Sequence, residues 1–327
     1  MRLHEDPRLF RQAVQFTADQ MQIPAIYVEK DYWITFALKT IFESEIGVDT
    51  VFKGGTALSK CYAMINRFSE DIDLVVFRRE GDSNTKLATK IKTIGAAINA
   101  VLPEIRIEGL THKMGMSRKT AHTYHKEFAG VYGEIRDVII VEATWLGYFE
   151  PYTTRPINSF VGSMMLANGQ EKITADLELT PFEVLVLEPV RTICEKIMSL
   201  VRFSYGEEPI TDLRKKIRHI YDLHQLLQQT EYSNFLNSTR FDQMLLRVGQ
   251  DDVVSFKNNN RWLANHPKDA LIFRDIEVIW KELRGAYNRD FRNIVYQELP
   301  TEAAIQQTLY EIKKRLETVV WSLTIAK

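Results

Sequence analysis

Two acidic residues on one predicted strand, Asp71 and Asp73, are the side chains whose types and spacing best fit chemistry. In a β-strand, residues two apart point to the same face, so their carboxylates would converge. Two adjacent carboxylates repel each other, which raises a pKa unless a cation lies between them. Magnesium is commonly held by one or two carboxylates together with substrate phosphates, so the pair predicts a Mg²⁺ site.

A glycine turn precedes the acidic pair. Gly54, Gly55 and Thr56 lie between a short strand predicted at residues 50–52 and a helix predicted at residues 56–64. Two glycines let the backbone turn tightly and come close to a ligand. The free amides and the dipole at the start of a helix favour phosphate, and the Thr56 hydroxyl would join the same cradle. The turn and the acidic pair together predict a triphosphate site for magnesium-dependent nucleotidyl transfer.

A third metal-binding carboxylate is expected on a neighbouring strand. Glu142 is the best candidate, because it is the one charged residue inside the apolar sequence VIIVEATW. A charge within a buried strand is costly without a partner. Asp137 and Glu134 are weaker candidates, since they lie at the start of that strand. The sequence contains no Ser-His-Asp order or Cys-His pair with an interpretable spacing, so a hydrolase has little support.

The elements that must position these residues fall into two regions. Strand and helix patterns alternate up to about residue 180, and mostly helical patterns follow. We therefore predict an α+β fold, in which a mixed-sheet domain at residues 1–180 precedes a helical domain at residues 181–327. Besides those named above, the predicted elements are helices at 7–20 (capped by Asp6, with Pro7 in its first turn), 24–45, 85–102, 182–203, 211–229, 273–292 and 301–323, and strands at 72–77, 104–112, 122–132 and 138–143.

The composition is that of a globular protein, with 45% hydrophobic and 26% charged residues among 327. The formal net charge of −1 supplies no global basic field for nucleic acid, although a local basic patch is compatible with it. Two cysteines, Cys61 and Cys194, do not make a disulfide framework, which favours a reducing cytoplasm. The sequence has no apolar run of membrane-spanning length and no apolar signal core at its start, so no membrane association is predicted.

Four ordered motifs resemble the nucleotidyltransferases of the AbiEii/AbiGii toxin family, which includes the MenT toxins. They are FKGGTALSK at 52–60, RFSEDIDL at 67–74, LEPVRTICEKIMSLVR at 187–202 and KIRHIYDLHQLL at 216–227. The resemblance implies a polymerase-β-like fold with a helical C-terminal half, a nucleoside triphosphate (NTP) donor and magnesium. It also implies the toxin half of a toxin–antitoxin or phage-defence pair, with a cognate antitoxin as partner. Some members of the family transfer nucleotides to tRNA ends.

The resemblance assigns roles to residues of the first region. Gly55 and Thr56 match the phosphate-side turn, and Ser69 precedes the metal pair formed by Asp71 and Asp73.

Two residues of the second region also match the family. Lys196 corresponds to the lysine expected to contact the triphosphate, and Asp222 to an aspartate of the last motif. Without the motif, Lys196 would be read as a surface lysine and Asp222 as a helical ion-pair partner of Arg218. Asp222 would also be able to orient the lysine. The family usually has Arg-Asp where this sequence has Arg218-His219, a departure that puts in doubt any role for an acid at His219 but not for Asp222.

Three other charged groups have two interpretations each. Lys30 and Asp31 on the second predicted helix would support the site or, more plainly, form structural ion pairs. A basic helix face would bind RNA or triphosphate, or would simply be solvated, and a basic segment between two predicted strands would line an acceptor groove or form an exposed loop. The helix face comprises Arg214, Lys215, Lys216, Arg218 and His219, and the segment comprises Arg118, Lys119, His122, His125 and Lys126.

The predicted function is therefore transfer of a nucleotide from NTP to an RNA acceptor such as tRNA. Transfer to a protein hydroxyl or a small molecule is a second hypothesis with the same chemistry. A non-catalytic module that binds a nucleotide or a partner protein is a third, and the intact pair Asp71 and Asp73 argues against it.

Overall fold

The structure, a computed structural model, describes residues 1–113, 115–130, 135–147 and 149–323. Its contacts divide the chain into two compact units. Unit 1 comprises Met1–Ala63, Phe68–Trp145 and Tyr152–Val186, and unit 2 comprises Met64–Arg67, Leu146–Pro151 and Leu187–Lys327. The main boundary between the two units therefore falls between Val186 and Leu187. Two short segments that precede this boundary in the sequence, Met64–Arg67 and Leu146–Pro151, also belong to unit 2.

Unit 1 is built on a mixed sheet, which confirms the predicted α+β fold. Within the described residues the strand order is β3-β4-β5-β2-β1-β7-β6. The central pairs β2–β5 and β1–β7 are parallel, whereas β1–β2, β3–β4 and β4–β5 are antiparallel. The strands are β1 (Thr50–Lys53), β2 (Asp71–Val76), β3 (Glu104–Ile105), β4 (Ser117–His122), β5 (Ile139–Thr144), β6 (Tyr152–Ile157) and β7 (Phe182–Leu187).

Helices accompany this sheet within unit 1. The first begins as predicted, because Pro7 occupies its first turn and the Asp6 carboxylate accepts the backbone N–H groups of Arg8 and Leu9, both at 3.0 Å. The helices are α1 (Pro7–Met21), α2 (Ala25–Phe42), α3 (Gly54–Lys60), α4 (Asn84–Asn99), α5 (Phe160–Ala167) and α6 (Glu171–Asp176).

Two predicted strands are wrong in position. The expected strand at 104–112 is reduced to Glu104–Ile105, and no described residue of 123–130 is in a strand. The remaining predicted strand residues, 131 and 132, lie outside the described part of the chain. The actual strand is Ser117–His122, whose basic residues conceal it in the sequence because they leave no alternation of apolar side chains.

The predicted helix at 182–203 is wrong in its first third. Phe182–Leu187 is the strand β7, which pairs in parallel with β1 through Val186 and Phe52. A short apolar run does not reveal by periodicity whether it is a strand or a helix. Helix α7 starts only at Pro189, a residue well suited to the first turn of a helix.

Unit 2 is helical, as predicted for the C-terminal part of the chain. An apolar stripe lies on α7, where Ile193, Ile197 and Leu200 are fully buried. This helix packs against α9 and α11. The helices are α7 (Pro189–Phe203), α8 (Pro209–Lys215), α9 (Ile217–Leu227), α10 (Thr230–Leu236), α11 (Thr239–Ser255), α12 (Leu271–Arg274), α13 (Ile276–Asn288) and α14 (Glu302–Leu316).

No helix in the described part of the chain combines the length and the apolar character that crossing a membrane requires.

Candidate active site

The acidic pair lies on β2, on one face of the central sheet. Ile72 and Leu74, the alternating residues of this strand, are buried, whereas Asp71 and Asp73 are partly accessible. The neighbouring strand β5 runs parallel to β2 and places Glu142 directly beside Asp73. The sheet therefore brings together the predicted metal pair and the predicted third carboxylate.

Burial and the neighbouring negative charges both act on Asp73. Burial raises the pKa of its carboxyl to about 7, and the negative charges of Asp71 and Glu142 act in the same direction. The cations of Lys53 and Lys119 oppose this shift only in part. A carboxylate held among like charges is well placed to gain from a bound cation.

Asp71 and Glu142 differ in their present partners. The Oδ1 atom of Asp71 is buried and accepts no hydrogen bond from any described residue, and Arg136 Nη1 lies 3.7 Å from it. Glu142 Oε2 lies 3.1 Å from the Nζ atom of Lys119, its direct neighbour on β4. Among the described residues no three acidic, histidine or cysteine side chains form a complete metal-binding group.

These residues nevertheless fit a hard divalent cation. Mg²⁺ requires oxygen ligands, usually takes one or two carboxylates and completes its shell with water and phosphate oxygens. Asp71 and Asp73 supply that pair from one strand face, and Oδ1 of Asp71 accepts no hydrogen bond within the described part of the chain. The donor set therefore fits a divalent cation that takes its remaining ligands from water or a substrate.

Gly54 is required for the close approach of the turn to Asp73. It begins α3 with a φ of 81°, in the left-handed region that favours glycine. A Cβ atom at this position would lie 2.1 Å from Asp73 Oδ2, far inside van der Waals contact. The preceding residue, Lys53, is paired with Asp73 across β1 and β2. The glycine thus sets the distance between the turn and the carboxylate.

We expect Gly54→Ala to reduce nucleotide transfer by about 10²-fold or more, because a positioning error of about 1 Å near the reacting groups has an effect of this order. Gly81→Ala is the matched control. Gly81 has nearly the same φ, 82°, but apart from its chain neighbours no atom of the described residues lies within 4 Å of the position that a Cβ atom would take there. Both variants should lose about 1–2 kcal/mol of stability from backbone strain in denaturant titrations. Equal transfer activity of the two variants would contradict the steric role of Gly54.

Thr56 and Ser69 join α3 to the start of β2. Thr56 is buried, and its hydroxyl donates to the backbone carbonyl of Asp71 at 2.6 Å. The Ser69 hydroxyl lies 3.0 Å from the same Thr56 oxygen. In this structure the Thr56 side chain therefore fixes the backbone of the acidic pair.

The two predicted residues of unit 2 contact each other. Lys196 Nζ lies 2.8 Å from Asp222 Oδ2, and both side chains are buried. Arg67 binds the same carboxylate in a bidentate manner, with Nε and Nη2 each 2.7 Å from an Asp222 oxygen. Arg67 is not among the residues predicted from sequence, although it is the first residue of the motif RFSEDIDL.

The cations around Asp222 determine its charge state. Burial alone would raise the pKa of Asp222, but Arg67 and Lys196 together hold it well below its usual range. The neighbouring His219 has a pKa far below its usual value because of burial, followed by the charges of Lys196 and Lys216. His219 is therefore neutral at physiological pH, where an aspartate stands in the usual family pattern.

The ion pairs predicted for the second helix are present. Lys30 is buried in an ion pair with Glu70, and Lys60 Nζ contacts the Asp31 carboxylate at 2.5 Å. The Asp31 carboxylate also accepts the backbone N–H of Phe160 at 2.7 Å. These residues support unit 1 from within.

The basic segment at 118–126 is not a plain loop. Arg118, Lys119 and His122 belong to β4, and His122 is fully buried against the backbone carbonyl of Leu102. Lys126 forms an ion pair with Asp137 at 2.7 Å.

Asp137 and Glu134 are the two alternative candidates for the third carboxylate. Asp137 is largely exposed, with Lys126 as its partner, and Glu134 lies outside the described residues.

On the basic helix face, Arg214 pairs with Glu282 and Lys215 with Asp212.

Comparison with known proteins adds a family and a fold. A family model described as "Nucleotidyl transferase AbiEii toxin, Type IV TA system" matches residues 37–315. Among curated proteins, none matches the sequence significantly.

Two solved structures are similar over most of their length. The first is MenT4, nucleotidyltransferase toxin Rv2826c from Mycobacterium tuberculosis H37Rv, with a TM-score of 0.53 and 16% identity over 94% of this chain and 90% of that one. The second is JHP933 from Helicobacter pylori, with a TM-score of 0.45 and 13% identity over 89% of this chain and 90% of that one. At such identity, the likeness to MenT4 supports the fold alone.

Proposed function

The chain belongs to the AbiEii nucleotidyltransferase toxin family, and from this premise we propose that it transfers a nucleotide from an NTP to an RNA acceptor such as tRNA. This would be a reaction of the EC 2.7.7 type. The family description refers to a type IV toxin–antitoxin system, so a cognate antitoxin is implied as a partner. A role in phage defence is a further part of the proposal, on the resemblance alone.

The carboxylates on β2 and β5 are the observation that carries this proposal. Asp71 and Asp73 would hold Mg²⁺, with Glu142 as the third acidic side chain beside them. When bound, the metal would neutralise charge on the triphosphate during the displacement of pyrophosphate. The protein itself would supply position, because the strand pairing and the Thr56 hydrogen bond fix the backbone of the acidic residues.

The phosphates would lie against the turn that contains Gly54, Gly55 and Thr56. The close packing of Gly54 on Asp73 supports this, since it keeps the turn backbone beside the proposed metal ligands. Ser69 would complete the same turn through its contact with Thr56.

Lys196 and Asp222 enter the proposal as triphosphate-site residues on the resemblance to the family. Their contacts support a defined role for each within unit 2, because Asp222 holds the Lys196 amine in one position. Arg67 would stabilise this arrangement through its bidentate contact with Asp222.

The alternative acceptors, a protein hydroxyl or a small molecule, use the same donor site. A non-catalytic module would not need repelling carboxylates beside a turn, and the raised pKa of Asp73 favours catalysis over this alternative. Cys61 and Cys194 are free thiols, which supports a reducing, cytoplasmic location.

Incubation with α-labelled NTPs, Mg²⁺ and total RNA tests the proposal. We expect label from at least one of the four NTPs to enter RNA of tRNA size, and chelation by EDTA to abolish the transfer. The matched γ-labelled NTP should leave its label in pyrophosphate, because the bond to the α-phosphate is the one that breaks.

Other distributions of label would decide between the hypotheses. Label in a protein or a small molecule of a cell extract would replace RNA as the acceptor. If label stays in the triphosphate with every donor and with the extract, the enzyme assignment is wrong.

A further inference from the structure

Arg136 is a cation at the edge of the acidic site that no sequence motif marks. Its Nη1 atom lies 3.3 Å from Glu70 Oε1 and 3.7 Å from Asp71 Oδ1. The second distance is too long for a hydrogen bond. The Arg136 side chain is 44% exposed, whereas the Glu70 side chain is 1% exposed, so the arginine reaches from a buried anchor towards solvent.

The backbone of Arg136 is held on both sides by one buried ion pair. Its N–H donates to Glu70 Oε2 at 2.9 Å, and its carbonyl accepts from the ammonium group of Lys30. Lys30 and Glu70 contact each other directly, and both are buried. The charged pair thus binds the two backbone groups of a residue whose side chain lies beside Asp71.

Such an arrangement is poorly explained by stability alone. A buried ion pair often contributes little net stability, because the desolvation of both charges offsets their attraction. Positioning is a role for which the pair is well suited, since Lys30 and Glu70 together determine the location of residue 136 with a donor and an acceptor.

The charges of the site call for a further cation when a nucleotide binds. A triphosphate would add several negative charges to a site that already contains Asp71, Asp73 and Glu142. Lys119 is paired with Glu142 at 3.1 Å on the neighbouring strand. Arg136 is anchored through Glu70 and has a large exposed fraction, and a guanidinium binds phosphate oxygens through several donors in a fixed plane.

We propose that Arg136 binds the triphosphate of the NTP donor and that the buried pair Lys30–Glu70 positions it for this contact. The inference rests on the proposed nucleotidyltransferase function and adds a residue that the family motifs in this sequence do not contain. Asp71 is then the metal ligand next to the arginine, and Arg136 is a cation of unit 1 that contacts the phosphates. Lys30 and Glu70 are positioning residues.

Binding of two triphosphate probes to the full chain tests this proposal. The probes are the non-hydrolysable α,β-methylene analogue of the NTP that is transferred best, and inorganic tripolyphosphate, each titrated calorimetrically with Mg²⁺. We expect Arg136→Gln to weaken both by about 10-fold or more, the value of one charge-assisted hydrogen bond. Arg136→Lys, which keeps the charge and loses the fork, should weaken both by about 3- to 10-fold.

Arg79→Gln is the matched control. Arg79 is an exposed arginine of unit 1 in an ion pair with Asp49 at 2.5 Å, and its replacement removes the same charge. We expect its affinity for both probes to stay within about 2-fold of the wild-type value, since exposed pairs contribute little. The melting temperature of each variant shows whether it is folded.

The outcomes separate this inference from the proposed function. If wild type binds and transfers nucleotide while folded Arg136→Gln and Arg136→Lys bind both probes like wild type, Arg136 is structural and the inference is wrong. If wild type binds neither probe and transfers no label, the proposed function itself fails, and the inference with it.

Discussion

Asp73→Asn and Asp71→Asn are each expected to abolish nucleotide transfer while the protein stays folded. Charge neutralisation by a bound metal contributes several kcal/mol to such a reaction, so the loss should be about 10²- to 10⁴-fold. The amide keeps the shape of the side chain and removes the negative charge. Growth toxicity on expression should disappear together with the transfer of label to RNA.

Thermal unfolding gives a readout of the same site that does not depend on activity. The pKa of Asp73 is raised to about 7 by burial, Asp71 and Glu142, so protonated Asp73 favours the fold. This contribution is complete below the unfolded pKa of about 4 and is lost as the pH rises through about 7. In EDTA at pH 8, Asp73→Asn should therefore melt at the same temperature as wild type or higher.

With added Mg²⁺, wild type should melt at a higher temperature than Asp73→Asn. A ligand that binds only the folded state raises its stability, so Mg²⁺ should raise the melting temperature of wild type and not that of Asp73→Asn. Asp176→Asn, which removes an exposed acid on α6 of the same unit, is the control and should respond to Mg²⁺ like wild type. Undiminished toxicity and transfer in a folded Asp73→Asn variant would refute the metal site.

Asp222→Ala is expected to destabilise the protein by about 3–5 kcal/mol, because removal of one partner leaves buried charges uncompensated. Arg67 and Lys196 are both buried and both bind this carboxylate. Urea titration followed by far-UV circular dichroism measures the change. Glu282→Ala is the control, since its pair with Arg214 in the same unit is exposed on both sides, and it should change stability by less than about 1 kcal/mol.

The pH dependence of unfolding has a defined sign at this cluster. The pKa of Asp222 is lowered in the folded state, so its contribution is present above the unfolded pKa of about 4 and is lost as the pH falls below it. As the pH falls below about 4, the free energy of unfolding of wild type should therefore decrease more steeply than that of Asp222→Ala. If Asp222→Ala and Glu282→Ala have the same free energy of unfolding, the buried charges of Arg67 and Lys196 do not depend on Asp222.

The chemistry of β2 could be predicted from sequence because it depends on local spacing. The i, i+2 separation of Asp71 and Asp73 places both carboxylates on one strand face wherever the strand lies. The glycines before α3 likewise mark a turn at the end of a short strand. Helix α1 could be recognised by its Asp6 cap and first-turn proline, and α7 by its apolar periodicity, although the predicted start of α7 was too early.

The prediction failed where the strand signal is weak or shared with a helix. Ser117–His122 consists mostly of polar and basic residues, so the strand lacks the apolar alternation that would distinguish it from a connecting segment, and the pairing of Lys119 with Glu142 is visible only in the folded sheet. Phe182–Leu187 is a strand because β1 offers it a parallel neighbour, and its apolar residues alone fit a helix equally well.

By itself, the sequence determined the family, the α+β class and the identity of the acidic pair, since each depends on residue types at short, fixed spacings. Only the tertiary structure decided that Glu142 is the neighbour of Asp73, because strand order and register join residues far apart in the chain. It also decided the contact between Arg67 and Asp222, which are 155 residues apart. Sequence patterns encode faces of single elements, whereas the partners of a buried charge are selected by the packing of many elements together.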